Sequence, residues 1–373
     1  MGMRPFDISR ALAALIPTRQ SVCLLGATAV GKSSMAIQAG AAFYGAPTYQ
    51  STVKFYPDQP WLVVVKGLDR DIVDFRGLPT VIKIKRGGQI VYKTKFSEPD
   101  LIEQLHARPE GGMVLLEELP QSTKPMQSVM REMILDHRIG GVKFPDTWMV
   151  IATGNRPQDN AGANQLLSHV ASSCTIIEPE VSVEDWQGWA VNAGVSPDVR
   201  AFINFQPGML HNFKPERLIN DTPRGWERVS IQAEALPDDL LHPVLSGVVQ
   251  PESVSQFIAF RKIYKGLPDL TECLTKPEKA LVPSEPSVAF ATCSALAERC
   301  RSKETTKDNL NNLFIYAGRL TDKMAETFGV LLVRDIFALR PESLNLSEAK
   351  TWLRNPEVRQ AILGSSAKQM KGN

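Results

Sequence analysis

Gly26-Ala27-Thr28-Ala29-Val30-Gly31-Lys32-Ser33 is a complete G-x-x-x-x-G-K-[ST] phosphate-binding loop. An apolar run at 22–25 precedes it, and residues 34–39, which begin with Ser34, contain no helix breaker. The loop therefore lies between a predicted buried strand and a predicted helix, which is the context that the motif requires. The alternative is a glycine-rich turn that carries Lys-Ser by chance.

The chemistry of this loop follows from its residue types. The two glycines let the backbone curl so that successive N–H groups point at phosphate oxygens. Lys32 would reach the β- and γ-phosphates, and the Ser33 hydroxyl would ligate Mg²⁺. The helix that follows adds the positive end of its dipole to the same site. The loop therefore predicts a site for a nucleoside triphosphate and its magnesium ion.

The composition is that of an ordinary globular protein. With 373 residues, the chain is long enough for two or three packed units. A net charge of +2 gives no whole-chain reason to expect nucleic acid or an anionic membrane. The five cysteines show no C-x-x-C spacing, which favours reduced thiols over a disulfide framework or a zinc site. With no secretory signal and no apolar run of membrane-spanning length, we predict a cytoplasmic protein without a membrane segment.

Apolar strand candidates alternate with helical segments in the first half of the chain. Runs at 61–68, 113–116 and 148–152 suit buried strands, and 124–135 suits a helix. This alternation predicts an α/β fold in which helices cover both faces of a parallel sheet. The sequence pattern of the second half is almost wholly helical. We therefore predict three regions, which are an N-terminal helix at 1–20, an α/β ATP-binding core at 21–216 and a helical part at 217–373.

Two acids and an amide follow neighbouring strand candidates. Glu117 and Glu118 come directly after the apolar run at 113–116, and Asn155 follows the next strand. An NTPase needs a carboxylate near Mg²⁺ and a group that activates or positions the attacking water. Glu117 would hold the metal, Glu118 would polarise the water, and Asn155 would orient it. The alternatives are two solvated acids and an ordinary turn residue.

Taken together, these motifs resemble those of the AAA+ ATPases. Within that family, the chain resembles the MoxR-like or dynein-related branch of bacteria and phages. The matching segments occur in the expected order, at 26–33, 71–79, 115–119, 135–140, 152–157 and 222–227.

The resemblance implies a P-loop αβα sandwich with a parallel five-stranded sheet, followed by a C-terminal helical lid and extension. It also implies ATP and Mg²⁺ bound at the joints between subunits of a homo-oligomeric ring, usually a hexamer. Such rings remodel a protein partner and often work with a von Willebrand A-type protein. Asn155 matches the sensor-1 position. Arg224 matches sensor 2, where a planar guanidinium contacts the γ-phosphate, although a surface arginine near a helix start is the alternative.

The chain departs from the family pattern at two catalytic positions. Glu117 stands where the metal-binding acid is normally Asp, so its carboxylate lies one methylene further from the strand. Ser173, aligned on Trp186, stands where relatives carry an arginine that acts on the neighbour's ATP. Losing such an arginine costs roughly 10³–10⁵ in rate in comparable NTPases.

Three other arginines are candidates for that missing role, and the sequence alone does not choose among them: Arg131, Arg138 and Arg156. The departures predict slow or partner-dependent hydrolysis. The alternative is an ATP-gated assembly scaffold whose hydrolysis is vestigial.

A basic hairpin is predicted at 81–96, around the turn Gly87-Gly88. Its two arms alternate apolar and basic residues. By the two-residue period, Lys83 and Lys85 share one face of their strand and Lys93 and Lys95 share one face of theirs. In a ring, these residues and Arg86 would form a positive collar for nucleic-acid phosphates or an acidic polypeptide. That collar would suit a DNA-associated motor or loader. The alternative is an edge hairpin kept soluble by its lysines.

Overall fold

The structure is a computed structural model that describes residues 2–45, 60–159, 164–265, 267, 270–300, 305–323, 326–356 and 358–359. The chain divides into two compact units, Met1–Glu180 and Val181–Asn373.

The first unit is built on a five-stranded parallel sheet in the order β2-β5-β8-β1-β9. Its strands are β1 (Val22–Leu25), β2 (Leu62–Lys66), β5 (Met113–Glu117), β8 (Met149–Gly154) and β9 (Thr175–Ile177). The central strands β5 and β8 begin with uninterrupted apolar runs, at 113–116 and 149–152, because helices cover them on both faces. The predicted α/β fold, an αβα sandwich around a parallel five-stranded sheet, is confirmed.

Helices pack on both faces of this sheet. They are α1 (Pro5–Leu15), α2 (Lys32–Phe43), α3 (Ile72–Arg76), α4 (Asp100–His106), α5 (Lys124–Arg131) and α6 (Ser168–Ala171). Successive residues of β1 point to opposite faces: Leu24 packs with α1 and α2, whereas Cys23 packs with α4 and α5. A single turn of π-helix, Glu132–Asp136, continues α5, so the helix predicted to 135 ends in a wider turn.

The N-terminal segment closes the edge of the sheet beyond β9. The backbone N–H of Met3 donates to the carbonyl of Glu178 at 2.7 Å, and the N–H of Glu180 donates back to Met3 at 3.0 Å. This pairing holds Pro179 against the phosphate-binding loop. A Cβ added to Gly26 would lie 3.1 Å from the Cδ of Pro179. The N-terminal segment therefore helps to fix where the loop begins.

Two antiparallel hairpins interrupt the alternation of strands and helices. The larger consists of β3 (Pro79–Arg86) and β4 (Gln89–Phe96), and the smaller of β6 (Arg138–Ile139) and β7 (Val142–Lys143). The larger hairpin was predicted from its Gly-Gly turn. Gly87 and Gly88 have φ values of 57° and 82°, which are the positive angles that a two-residue type I′ turn requires.

The register of the larger hairpin changes the predicted charge pattern. Lys83 is paired with Tyr92, and its ammonium lies 5.8 Å from the centre of that ring. Lys93 is paired with Ile82. Directly opposed residues lie on the same face of an antiparallel ribbon. The lysines alternate within each strand as predicted, but the pair on β3 and the pair on β4 lie on opposite faces of the ribbon.

The second unit is helical. Its helices are α7 (Val183–Ala193), α8 (Pro197–Phe205), α9 (Pro223–Ala235), α10 (Asp238–Leu245), α11 (Pro251–Lys265), α12 (Thr271–Thr275), α13 (Pro286–Arg299), α14 (Lys307–Lys323), α15 (Glu326–Leu339) and α16 (Ser347–Trp352). The division between units precedes the predicted start of the helical part at 217. The reason is that α7 and α8 bury Trp186 and Phe202 in one core with Trp226 and Phe257. Among the described residues, no helix has both the length and the apolarity needed to cross a membrane.

Candidate nucleotide site

The phosphate-binding loop adopts the tight backbone that its sequence predicts. Ala29 and Gly31 have positive φ values of 59° and 90°, and α2 begins directly after them at Lys32. Within the described residues, the backbone N–H groups of Thr28, Gly31 and Ser33 have no hydrogen-bond acceptor in the protein. Unpaired N–H groups in a tight loop at a helix N-terminus form an anion-binding arrangement.

Lys32 connects the loop to the end of a neighbouring strand. Its side chain is buried, and Nζ donates to the carbonyls of Gly26 at 2.9 Å and Ala27 at 2.6 Å. Nζ also donates to the Asn155 Oδ1 at 2.8 Å. The structure therefore brings together two residues that are far apart in the sequence, the loop lysine and the amide predicted to orient water.

The acid pair occupies the adjacent strand end. Glu117 is the last residue of β5, whose register pairs Leu116 with Ala152 of β8. Glu118 follows in a left-handed conformation, with φ of 58°, which is unusual for a residue with a side chain. Its carbonyl accepts from the N–H groups of Gln121 and Ser122 at 3.0 and 3.2 Å. These bonds hold the turn that follows the strand and expose the Glu118 side chain.

Gly154 contributes a contact that the sequence argument missed. Its carbonyl accepts from the Gly26 N–H at 3.2 Å, which joins β8 to the phosphate-binding loop. A Cβ added at Gly154 would lie 2.1 Å from the Cδ of Pro120, in the turn after the acid pair. A glycine at the end of a strand pattern is a signal for close backbone approach. Gly154 thus holds the turn after Glu118 close to Asn155.

The polar groups of the loop fit a triphosphate with its magnesium ion. The Thr28 hydroxyl is buried and has no hydrogen-bond partner in the described part of the chain. The Ser33 hydroxyl, at the first turn of α2, and the Glu117 carboxylate are oxygen donors of the kind that Mg²⁺ prefers. The loop N–H groups and Lys32 would hold the phosphates. Ala27 and Val30 lie within the loop, and Ser34 is the third residue of α2.

Arg224 belongs to the second unit, at the second position of α9, and is exposed. The helix starts at a well-defined cap, because the Thr222 hydroxyl accepts from the Gly225 N–H at 3.0 Å. Asp221, which is fully buried, accepts from the Gln250 N–H at 2.9 Å and the Ser253 hydroxyl at 2.7 Å. Burial raises the pKa of this carboxyl above its ordinary value. The start of α9 is therefore anchored, and the nucleotide-sensing role of Arg224 stays a prediction.

Ser173 and the three candidate arginines all lie in the first unit, in different surroundings. Ser173 follows α6, and its hydroxyl donates to the carbonyl of His169 at 2.7 Å. Arg131 donates from Nε to that same carbonyl at 3.1 Å. Arg156 forms a two-point ion pair with the buried Asp159. Arg138 donates to the carbonyl of Gly141 within its own small hairpin.

No family model and no curated protein matches the chain. Among solved structures, a RuvB mutant from Thermotoga maritima is 15% identical, with a TM-score of 0.35 over 71% of this chain and 75% of that one. NtrX from Brucella abortus is 13% identical, with a TM-score of 0.35 over 88% and 68%. A putative ATPase from Cytophaga hutchinsonii is 13% identical, with a TM-score of 0.29 over 97% and 88%.

Proposed function

We propose that the chain is an AAA+ ATPase of the MoxR-like branch, which binds Mg-ATP between subunits of a ring and remodels a protein partner. The observation that carries this proposal is the hydrogen bond from Lys32 to Asn155, beside the acid pair that ends the adjacent strand. In this arrangement Lys32 would hold the phosphates, and Ser33 and Glu117 would hold the metal. Glu118 then activates a water that Asn155 orients.

We infer that hydrolysis is slow or depends on assembly or a partner. Two features support this. The longer side chain of Glu117 moves the metal-binding carboxylate, and a misplacement of about 1 Å can cost on the order of 10² in rate. Ser173 has only a hydroxyl, already bonded to a backbone carbonyl, where the resemblance places a charged arginine.

Nucleotide binding and turnover are tested separately. Fluorescent-nucleotide titration should show that wild type binds Mg-ATP, that Lys32→Ala abolishes binding, and that Glu118→Gln binds but does not release phosphate. Mass measurement with and without ATP reports ring formation. Equal binding by wild type and Lys32→Ala would contradict the proposed site.

The second candidate is a scaffold whose assembly is gated by ATP and whose hydrolysis is vestigial. The altered Glu117 and Ser173 positions favour it. ATP-dependent assembly without phosphate release, at any protein concentration and with or without a partner protein, would select this scaffold over the remodeller.

The third candidate, a DNA-associated motor or loader, depends on the β3–β4 hairpin. From Val81 to Lys95 this hairpin carries basic and no acidic residues, and its side chains are mostly exposed. Because the lysine pairs lie on opposite faces, each face should contribute to phosphate binding by itself. Charge reversal of Lys83 and Lys85, or of Lys93 and Lys95, is therefore expected to weaken salt-dependent binding to a DNA oligonucleotide while Mg-ATP binding persists. Unchanged DNA binding in both variants would exclude the hairpin as its site.

A further inference from the structure

We propose that Arg131 supplies to the ATP of a neighbouring subunit the guanidinium that the Ser173 position lacks. This inference rests on the proposed function, ATP hydrolysis in a ring. Developing charge on the transferred phosphoryl group is stabilised in many NTPases by an arginine, supplied either by the same chain or by another. Arg131 lies on a different element from Ser173, but its charged group reaches the same place.

The two side chains share one hydrogen-bond acceptor. Arg131 is the last residue of α5, and its Nε donates to the carbonyl of His169 at 3.1 Å. Ser173 Oγ donates to the same oxygen at 2.7 Å. The guanidinium of Arg131 is therefore a direct neighbour of the Ser173 hydroxyl, at the surface of α6. The positive charge that the resemblance places at position 173 is therefore present beside that position, on the side chain of Arg131 at the end of α5.

Arg131 and Ser173 lie at the opposite end of the sheet from the chain's own phosphate-binding loop. Ser173 precedes β9, whose first residue pairs with Val22 at the start of β1. The end of α5 is also tied to this end, because the Ile134 carbonyl accepts from the Ser21 hydroxyl at 2.7 Å. Gly26 follows the other end of β1, about 13 Å further along at roughly 3.3 Å per residue. Arg131 is thus placed to act on another subunit's nucleotide rather than on its own.

Arg156 is already committed, whereas Arg138 is bonded within its own small hairpin and not to the carbonyl that Ser173 uses. Arg156 uses Nε and Nη2 on Asp159, at 3.2 and 3.1 Å, and withdrawing it would leave a buried carboxylate unpaired. Arg138 uses Nη1 on Gly141. Arg131 uses only Nε, and in the described part of the chain its two terminal nitrogens have no hydrogen-bond partner. These nitrogens can form the two parallel bonds with which a guanidinium binds phosphate oxygens.

The helix that carries Arg131 is held against α6 by a second residue. Gln127 lies one turn earlier and is fully buried. Its Oε1 accepts from the Leu167 N–H at 3.1 Å, and its Nε2 donates to the Ser122 carbonyl at 3.3 Å. Ser122 in turn donates its N–H to Glu118. One short helix therefore connects the acid of a subunit's own site to the arginine that it offers its neighbour.

The first experiment compares Arg131→Ala with Arg138→Ala, a matched removal of a nearby exposed arginine. We expect Arg131→Ala to lower kcat for phosphate release on the order of 10³-fold, with unchanged Mg-ATP binding and ring mass. Arg138→Ala should keep the wild-type rate. Arg131→Gln retains a donor for the His169 carbonyl but loses the charge, and its kcat should fall as far as that of Arg131→Ala. This second variant separates loss of charge from loss of the hydrogen bond. A wild-type rate in both Arg131 variants would overturn the proposal.

The second experiment tests action between subunits. Arg131→Ala retains its own site, whereas Glu118→Gln retains its arginine, so each is expected to be inactive alone. Mixed rings should recover phosphate release, because a Glu118→Gln subunit offers Arg131 to the intact site of its neighbour. No recovery in rings shown by mass measurement to be mixed would exclude action between subunits. If Lys32→Ala binds Mg-ATP as tightly as wild type, the proposed function itself fails, and that result is recognised without any Arg131 variant.

Discussion

The contact between Gly154 and Pro120 makes a sharp prediction about catalysis. In Gly154→Ala, the new Cβ would lie 2.1 Å from the Cδ and 2.5 Å from the Cγ of Pro120, whereas ordinary contact begins at 3.4 Å. The two groups must separate by about 1.3 Å. The proline ring cannot rotate away, so the backbone of the turn after Glu118 has to move.

The expected result is a catalytic defect with little loss of binding. A displacement of about 1 Å between Glu118 and Asn155 should lower kcat on the order of 10²-fold. Strain of this kind should also cost about 1–3 kcal/mol of unfolding free energy. Mg-ATP affinity should stay close to wild type, because Gly154 bonds the phosphate-binding loop through its backbone carbonyl, which alanine keeps. Phosphate release at saturating ATP, fluorescent-nucleotide titration and thermal melts measure the three quantities.

A compensating substitution tests whether the clash is the cause. Pro120→Ala removes both atoms that meet the new Cβ, so the double variant should regain most of the lost kcat. Gly188→Ala is the matched control, since a Cβ there meets no heavy atom within 4 Å. A wild-type kcat for Gly154→Ala, or a double variant no faster than Gly154→Ala, would refute the reasoning.

Three further predictions concern buried and titrating groups. Arg200 is fully buried, and its Nη2 lies 3.2 Å from Glu298. Because Arg200→Met would remove that carboxylate's buried ion-pair partner, urea denaturation should show a free energy of unfolding lower by about 3 kcal/mol. A loss below about 1 kcal/mol would contradict this prediction. Hydrogen bonding to Cys23 lowers the pKa of the half-buried Cys174 thiol, whereas the other four cysteines are buried. Iodoacetamide at pH 7.5 should therefore alkylate Cys174 first, and peptide mass mapping measures the order. Burial lowers the pKa of His137 below 6.5, so the unfolded chain takes up a proton at a higher pH than the folded one. The free energy of unfolding should therefore fall as the pH drops below about 6.5, and His137→Asn, which tolerates the left-handed backbone there, should flatten that slope.

Much of the fold was predictable because its signals are local. The loop at 26–33, the apolar strands and the Gly-Gly turn each depend on neighbouring residues, and the structure has all of them where the patterns indicate. Part of the site was also predictable, since acids and amides that follow parallel strands must meet at one edge of the sheet. The bond from Lys32 to Asn155 joins the phosphate-binding loop to that edge, and the roles of the site residues stay predictions.

The remaining features depend on pairs of residues far apart in the chain. The two-residue period places lysines on one face of each strand, but only the register between β3 and β4 decides that the two faces are opposite. The extent of the helical unit is decided by the aromatic core that α7 and α8 share with α9 and α11.

From the sequence alone follow the phosphate-binding loop motif and an α/β fold, because the conformations of glycines, apolar runs and turns are set within a few residues. The sequence also marked Ser173 as a departure and named three arginines that could compensate. Only the tertiary structure distinguished them, by bonding Arg156 to Asp159 and placing Arg131 on the carbonyl that Ser173 also uses. The physical reason is that a guanidinium's availability depends on the partners that folding brings to it, and those partners come from other elements of the chain.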